Sequence, residues 1–362
     1  MSSTPYVRPP RSGAGGDFVA ARELTYIRPT GRRLTDYEAV VCHTQPDLSH
    51  FEVSEWSSMS ARGERVFDPD TTRARHPDWF EFRDPSQLWQ RTYVREQAVQ
   101  ESALQTLLQH ACPDAAGIDA SWLDPMLSSY FDAMACMEWG LFLALSAAVR
   151  PALSDTVSVA LCFAAVDHLR MQQDIALLGL HLETYAPSYV SGGVEAWLHD
   201  PVLQPARALI EEVMAVDDWC ELAIVTSLVV EPLLAGYLGA MFRAYAPFNG
   251  DALAPLVLIS GERDRKRRRA MATALAAMLL TSTDRSGRPV PADHNRRLLQ
   301  GWIDRFAPSA VAAARAVRPV FESQARQPAW SRDLLADVIA DTEATLGKVG
   351  LVLPSTQPEV LG

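Results

Sequence analysis

The sequence predicts an all-α protein: a bundle of long helices with further helices at its C-terminal end and an extended arm at its N-terminal end. Three observations carry this prediction. Apolar residues recur at helical spacing from residue 86 almost to the end of the 362-residue chain. Four of the periodic stretches run about 26–31 residues, on the order of 40 Å at 1.5 Å per residue. No strand alternation and no fixed-period repeat interrupts them.

Taken in order, residues 1–85 form the arm. Prolines recur there (Pro5, Pro9, Pro10, Pro29, Pro46, Pro69, Pro77, Pro85), and no helical period lasts beyond two turns. So long an irregular stretch is unusual inside a compact domain. Its aromatic residues, Tyr26, Tyr37, Phe51, Trp56, Phe67, Trp79, Phe80 and Phe82, suit a segment laid on its own domain or on a partner subunit. Asp84-Pro85-Ser86 then supplies capping chemistry, and Trp89, Tyr93 and Val94 open an apolar stripe. Helices are expected at 86–111, 121–149, 154–184, 201–215, 217–246 and 251–281, with shorter ones near 293–306, 308–323 and 329–347. Pro151, the Pro187–Gly193 segment, Pro247 and Ser286–Pro291 punctuate them. The helical domain therefore spans 86–350 and leaves a tail at 351–362. Small residues on the long helices (Ala133, Ala135, Gly140, Ala164, Ala165, Gly236, Gly239) predict close packing.

Bulk properties narrow the function. A net charge of −11 argues against binding nucleic acid or anionic membrane. Met1 to Phe18 is polar, without the apolar core of a secretory signal, and charges or prolines break the longest apolar stretches. A cytoplasmic protein is expected. The five cysteines contain no C-x-x-C pair and read as reduced core residues. His43, His50, His76, His110, His181, His199 and His294 show no ligand spacing, and no Ser-His-Asp order, Walker A or G-x-S-x-G pattern occurs. The basic run Arg263 to Arg269 contains Asp264 and no aromatic residue, so it reads as a solvated or subunit-facing helix surface.

One constellation remains. A two-metal carboxylate bundle takes one Glu from each of two helices and a Glu-x-x-His from each of two others. Here Glu138 lies inside one apolar helix, and Asp167-His168-Leu169-Arg170-Met171 follows on the next. Glu231 lies inside another, followed by Asp264-Arg265-Lys266-Arg267-Arg268. The intervals are similar, 30 residues from Glu138 to His168 and 34 from Glu231 to Arg265. A lone Glu followed by Asp-x-x-Arg thus occurs twice.

This pattern resembles the soluble di-iron monooxygenases: methane, alkene, propane, phenol and toluene hydroxylases. Their catalytic α subunit carries two Asp-Glu-x-Arg-His motifs, each preceded by a lone Glu. In this chain the Glu positions of the motifs hold His168 and Arg265, and the His positions hold Met171 and Arg268. Of the six positions, only Glu138 and Glu231 keep their residue type. Such loss is similar to the β (small) subunit, a paralogue of α. The run Phe82-Arg83-Asp84-Pro85-Ser86-Gln87-Leu88-Trp89 and the stretch from Glu231 through Ser260 also resemble this family, and the likeness covers roughly residues 22–350.

The resemblance implies a ferritin-like (ribonucleotide-reductase-like) fold without catalytic, cofactor or metal residues of its own. It implies a di-iron centre in a partner α subunit, across which the arm at 1–85 is expected to lie, and an (αβγ)₂ or (αβ)₂ assembly, with or without a γ subunit. A coupling protein and an NAD(P)H reductase would serve that assembly. Leu24 to Pro29 and Leu88 to Arg91 lean towards the alkene or short-alkane enzymes. Asp167 with Arg170, and Asp264 with Arg267, are expected to tie helices together. Arg265 is expected to enter the former metal space, and Arg265 or Arg268 to pair with Glu231 or Glu138. The alternative is a stand-alone ferritin-like oxidase with a single metal on Glu138, His168 and Glu231.

Overall fold

A computed structural model describes residues 30–31, 33–41, 68–329 and 332–355. Eleven helices occur among them: α1 (Asp36–Val41), α2 (Gln90–Ala111), α3 (Trp122–Val149), α4 (Asp155–Tyr185), α5 (Gly193–His199), α6 (Gln204–Met214), α7 (Trp219–Asn249), α8 (Leu253–Ser260), α9 (Glu262–Leu280), α10 (Ala292–Glu322) and α11 (Leu334–Gly347). No strand forms among the described residues, only a single bridge between Thr283 and Pro289.

Local chemistry sets the boundaries. Ser154 caps α4 by accepting from the Val157 N–H, and Asp218 caps α7 by accepting from those of Cys220 and Glu221. Asp333 caps α11 in the same way. Asp251 accepts from the amides of Leu253 and Ala254 and from Trp122 Nε1, which fixes the start of α8 to the start of α3. Gly250, at φ 74°, makes the preceding turn, and a Cβ there would lie 2.9 Å from the Gly117 carbonyl oxygen.

The structure departs from expectation in four places. First, α2 begins at Gln90, because Asp84 binds Ser86 in a turn and Thr92 instead receives the Trp89 N–H. Second, the 251–281 helix divides at Gly261 into α8 and α9. Third, Pro308 does not divide α10, which packs its apolar face against α6 and α7; this packing outweighs the one lost N–H. Fourth, the 187–193 punctuation leads straight into α5, where Gly193 acts as a contact residue rather than a turn. A Cβ on Gly193 would stand 2.5 Å from the Ala133 backbone.

In α3 and α7 the stretches Trp122–Phe131 and Thr226–Gly236 are wound as wider π-type turns. Each contains a proline, Pro125 or Pro232, whose missing N–H and ring disfavour regular i to i−4 winding. Both helices are also long and apolar enough to cross a membrane by length and composition, contrary to expectation. Yet 94% of the apolar window of α7 is buried inside the protein, which makes it the central core helix; for α3 the share is 50%.

α3 and α4 pack along each other as one pair; α7 with α8 and α9 forms the other. α10 and α11 lie over the second pair. Residues 68–85 are laid on this body: Trp79 packs edge-on to Trp219 at 5.0 Å, and Asn295 binds both backbone polar groups of Arg75. The rest of the predicted arm, apart from residues 30–31 and 33–41, lies outside the described residues, as does Cys42. Cys112 and Cys220 are buried as expected, Cys136 is half-buried and Cys162 is exposed.

Candidate functional site

Five of the six positions singled out in the sequence are buried and Arg265 is half-buried, and the direct contacts among them are two pairs, Glu138 with His168 and Glu231 with Arg268. Glu138 on α3 faces His168 on α4, with Oε2 and Nδ1 2.6 Å apart. Both are buried, and His168 Nε2 has no partner. Glu231, at the middle of α7, receives a two-pronged bond from Arg268 of α9. Nε donates to Oε2 at 3.1 Å and Nη2 to Oε1. Planar fork-on-carboxylate geometry of this kind is the strong form of the ion pair. The Arg268 guanidinium also lies 3.3 Å from Asp167 Oδ2.

Arg265 and Met171 make their contacts elsewhere. Arg265 bonds neither Glu138 nor Glu231. Its Nη2 donates to the Leu258 carbonyl at 2.8 Å and lies 3.4 Å from Glu262. The break at Gly261 explains this: α8 ends there, and its last carbonyls need donors. Met171 is buried and extends its methyl group into the same break, where a Cβ on Gly261 would come within 2.0 Å of it.

Behind these positions the two Asp-x-x-Arg pairs exchange partners. Arg267 of α9 binds Asp167 of α4, and Arg170 of α4 binds Asp264 of α9. Arg267 also reaches Asp264 at 2.9 Å, and Arg170 reaches Asp174 at 2.7 Å. α2 closes the network from outside: Tyr93 donates to Asp167 at 2.9 Å, and Gln97 donates to Asp264 at 3.0 Å. The expected helix-tying role is therefore met crosswise, each motif neutralising the other.

Burial and charge compete at Asp167, Asp264, Glu231 and Asp174. Burial pushes Asp167 up against the pull of Arg268 and Arg267. At Asp264 burial acts the same way, but Arg267 and Arg170 outweigh it and hold the group below its ordinary value. Glu231 is likewise held low by Arg268, despite burial. Asp174, with Arg170 as its main cation, is pushed by burial to about 6.

These donors do not fit a metal. Among the described residues no three His, Cys, Asp or Glu side chains gather as a ligand set. The carboxylate of Glu231 is spent on Arg268, whose own charge is stabilised by Glu231, Asp167 and Glu138 together. A dication there would meet a fixed guanidinium. Sequence reasoning passed over Gln97 and Asp174. Gln97 lies four residues after Tyr93 and Asp174 four after Arg170, the spacing that puts each pair on one helix face.

Comparison with known proteins decides the family. Residues 56–283 match the family model described as methane/phenol/alkene hydroxylase. The chain belongs to this family. The hydroxylase small subunit of propane 2-monooxygenase from Mycolicibacterium goodii is 27% identical over 92% of this chain and 90% of that protein. The methane monooxygenase component A beta chain of Methylosinus trichosporium is 27% identical, covering 80% of this chain and 75% of that one. Among solved structures, phenol hydroxylase from Pseudomonas sp. OX1 superposes with a TM-score of 0.72 over 97% of this chain and 99% of that chain, at 21% identity, and so shares the fold. Within the hydroxylase family this chain falls on the small, or β, subunit side.

Proposed function

We propose that the chain is the non-catalytic β subunit of a hydrocarbon hydroxylase whose two irons are held by a partner α subunit. The α subunit would insert oxygen from O₂, with electrons from an NAD(P)H reductase and a coupling protein gating the reaction. The observation that carries this reading is the Arg268 fork on Glu231, which turns a ligand position into an ion pair. The substrate we favour is an alkene or short alkane, supported by the likeness to propane and methane enzymes along most of the chain. The role of this chain is mechanical: its crossed Asp–Arg pairs hold the bundle rigid as a frame for α.

Metal analysis tests the reading. The chain purified alone should hold no stoichiometric iron or manganese, and its complex with the α subunit should carry two irons per α. One tightly bound metal per isolated β chain would overturn it in favour of the stand-alone oxidase.

A further inference from the structure

A small hollow opens beside the C-terminal half of α7, where the end of α10 turns into α11. Its volume is about 40 Å³, room for about three water-sized groups. Tyr237, Met241 and Tyr245 stand on one face of α7, four residues apart, and form its buried wall. Pro328 and Leu334 add apolar edges, and Arg318, Glu322, Arg332 and Asp333 line the rest. The charged groups are already spent. Arg318 binds Glu322 at 2.6 Å and reaches Asp333 at 3.4 Å, Asp333 also caps α11, and Arg332 pairs with Asp337. Two cations against two carboxylates leave the lining without net charge.

The two tyrosine hydroxyls are not spent. Tyr237 is 1% exposed, yet its hydroxyl makes no hydrogen bond among the described residues, and neither does that of Tyr245. The Tyr237 hydroxyl lies in the combined field of Arg318, Asp333 and Glu322, so it faces the polar side of the hollow. Burial pushes both phenols up, so each keeps its proton and can donate as well as accept. The Tyr245 ring is held edge-on to Phe321 at 5.6 Å, which fixes the direction of its hydroxyl. Buried hydroxyls are normally bonded, so a pair left open in a hollow of mixed polar and apolar lining marks a place for a ligand. We infer that this hollow binds a small neutral alcohol, of ethanol or propanol size, through Tyr237 and Tyr245. The alcohol oxygen accepts from one phenol and donates to the other, and its short alkyl part lies against Met241, Leu334 and Pro328. An ion would bring uncompensated charge into a lining that is already balanced. The ligand class is read from this lining and does not rest on the function proposed above, although hydroxylating a short alkane would release a molecule of the same class.

The test titrates propan-1-ol into the full chain and follows its methyl signal by saturation-transfer NMR, with propionate and propylammonium as charged controls of similar size. The signal should saturate in the millimolar range for the alcohol alone. Tyr237→Phe should weaken binding at least about threefold, the loss of one neutral hydrogen bond, and Tyr237→Phe/Tyr245→Phe at least about tenfold. Tyr130→Phe, whose hydroxyl bonds Asp200 elsewhere in the fold, should leave it unchanged. Crystals of the wild-type chain soaked in propan-1-ol give a readout that needs no variant: the alcohol oxygen should lie within hydrogen-bond distance of Tyr237 Oη. A signal that never saturates, or alcohol found only at other places, would overturn the inference and leave the hollow to water. Equal binding of the ions, or wild-type affinity in the double tyrosine variant, would overturn it as well. The metal analysis that decides the proposed function is untouched by either result.

Discussion

The two helix pairs of this protein carry one sequence pattern and differ in chemistry and in exposure. In the α3–α4 pair, Glu138 meets His168; in the α7–α9 pair, Glu231 meets Arg268. The first pair shows an uncharged outer face, while the second lies under α10 and α11. The Asp and Arg of both motifs nevertheless persist and pair across the divide, Asp167 with Arg267 and Asp264 with Arg170. The difference separates two jobs. The buried Glu of each half takes a different partner, whereas the Asp and Arg that lock one half to the other form a reciprocal set.

The largest effect should come from breaking the Arg268 fork. Arg268→Met leaves Glu231 charged, buried and unpaired, and should cost about 3–5 kcal/mol in urea unfolding. Glu231→Leu/Arg268→Met removes both charges and should regain most of that loss, since a buried pair replaced by packed apolar groups is often neutral. If the double variant is as unstable as the single one, the fork is not a self-contained pair, and the Asp167 contact is the reason to examine next.

A smaller effect separates the two halves by pH. Asp174 on α4 is pushed to about 6 by burial, whereas Asp264 on α9 is held low by Arg267 and Arg170 against burial. A raised carboxyl means the native state binds its proton more tightly than the unfolded chain does. Its favourable contribution is present at low pH and is lost as pH rises from about 4 to about 6. Stability of wild type relative to Asp174→Asn should fall through that window, by about 3 kcal/mol. Asp264→Asn should show the opposite trend, with the wild-type advantage lost as pH falls below the ordinary carboxylate range. Urea titrations at stepped pH measure both.

How much of this was legible in the sequence follows the same physics. Helix existence was, because the apolar period over about 26–31 residues is a strong signal. Breaks were not: Gly261 reads as an ordinary glycine until Met171 is seen to fill its side, and Gly193 reads as a turn until α3 is seen against it. At the site, the fate of the six positions was half legible. The pairing of an arginine with Glu231 follows from the cost of a buried lone carboxylate, but the choice of Arg268 over Arg265 depends on where α8 ends. The Arg263–Arg269 run misled because it was judged by composition. Asp264, Arg267, Arg268 and Met271 share one helix face, and that face points inward.

The smallest effects compare one glycine from each half. A Cβ on Gly140 of α3 would meet Ile210 Cγ2 at 2.3 Å, and one on Gly261 would meet the Met171 methyl at 2.0 Å. The shorter distance is the cheaper one. Ile210 is β-branched and stiff on α6, so Gly140→Ala must push the two helices apart and should cost about 1–3 kcal/mol. Met171 ends in a flexible thioether that can turn away, and Ala at position 261 removes some unfolded-state freedom, so Gly261→Ala should cost under about 1 kcal/mol. A double-mutant cycle decides it. Gly261→Ala added to Met171→Ala should do no further harm, while Gly140→Ala should lose most of its cost when combined with Ile210→Ala. Equal penalties for the two glycines, unaffected by their partners, would mean that helix geometry and not side-chain stiffness sets the spacing in both halves.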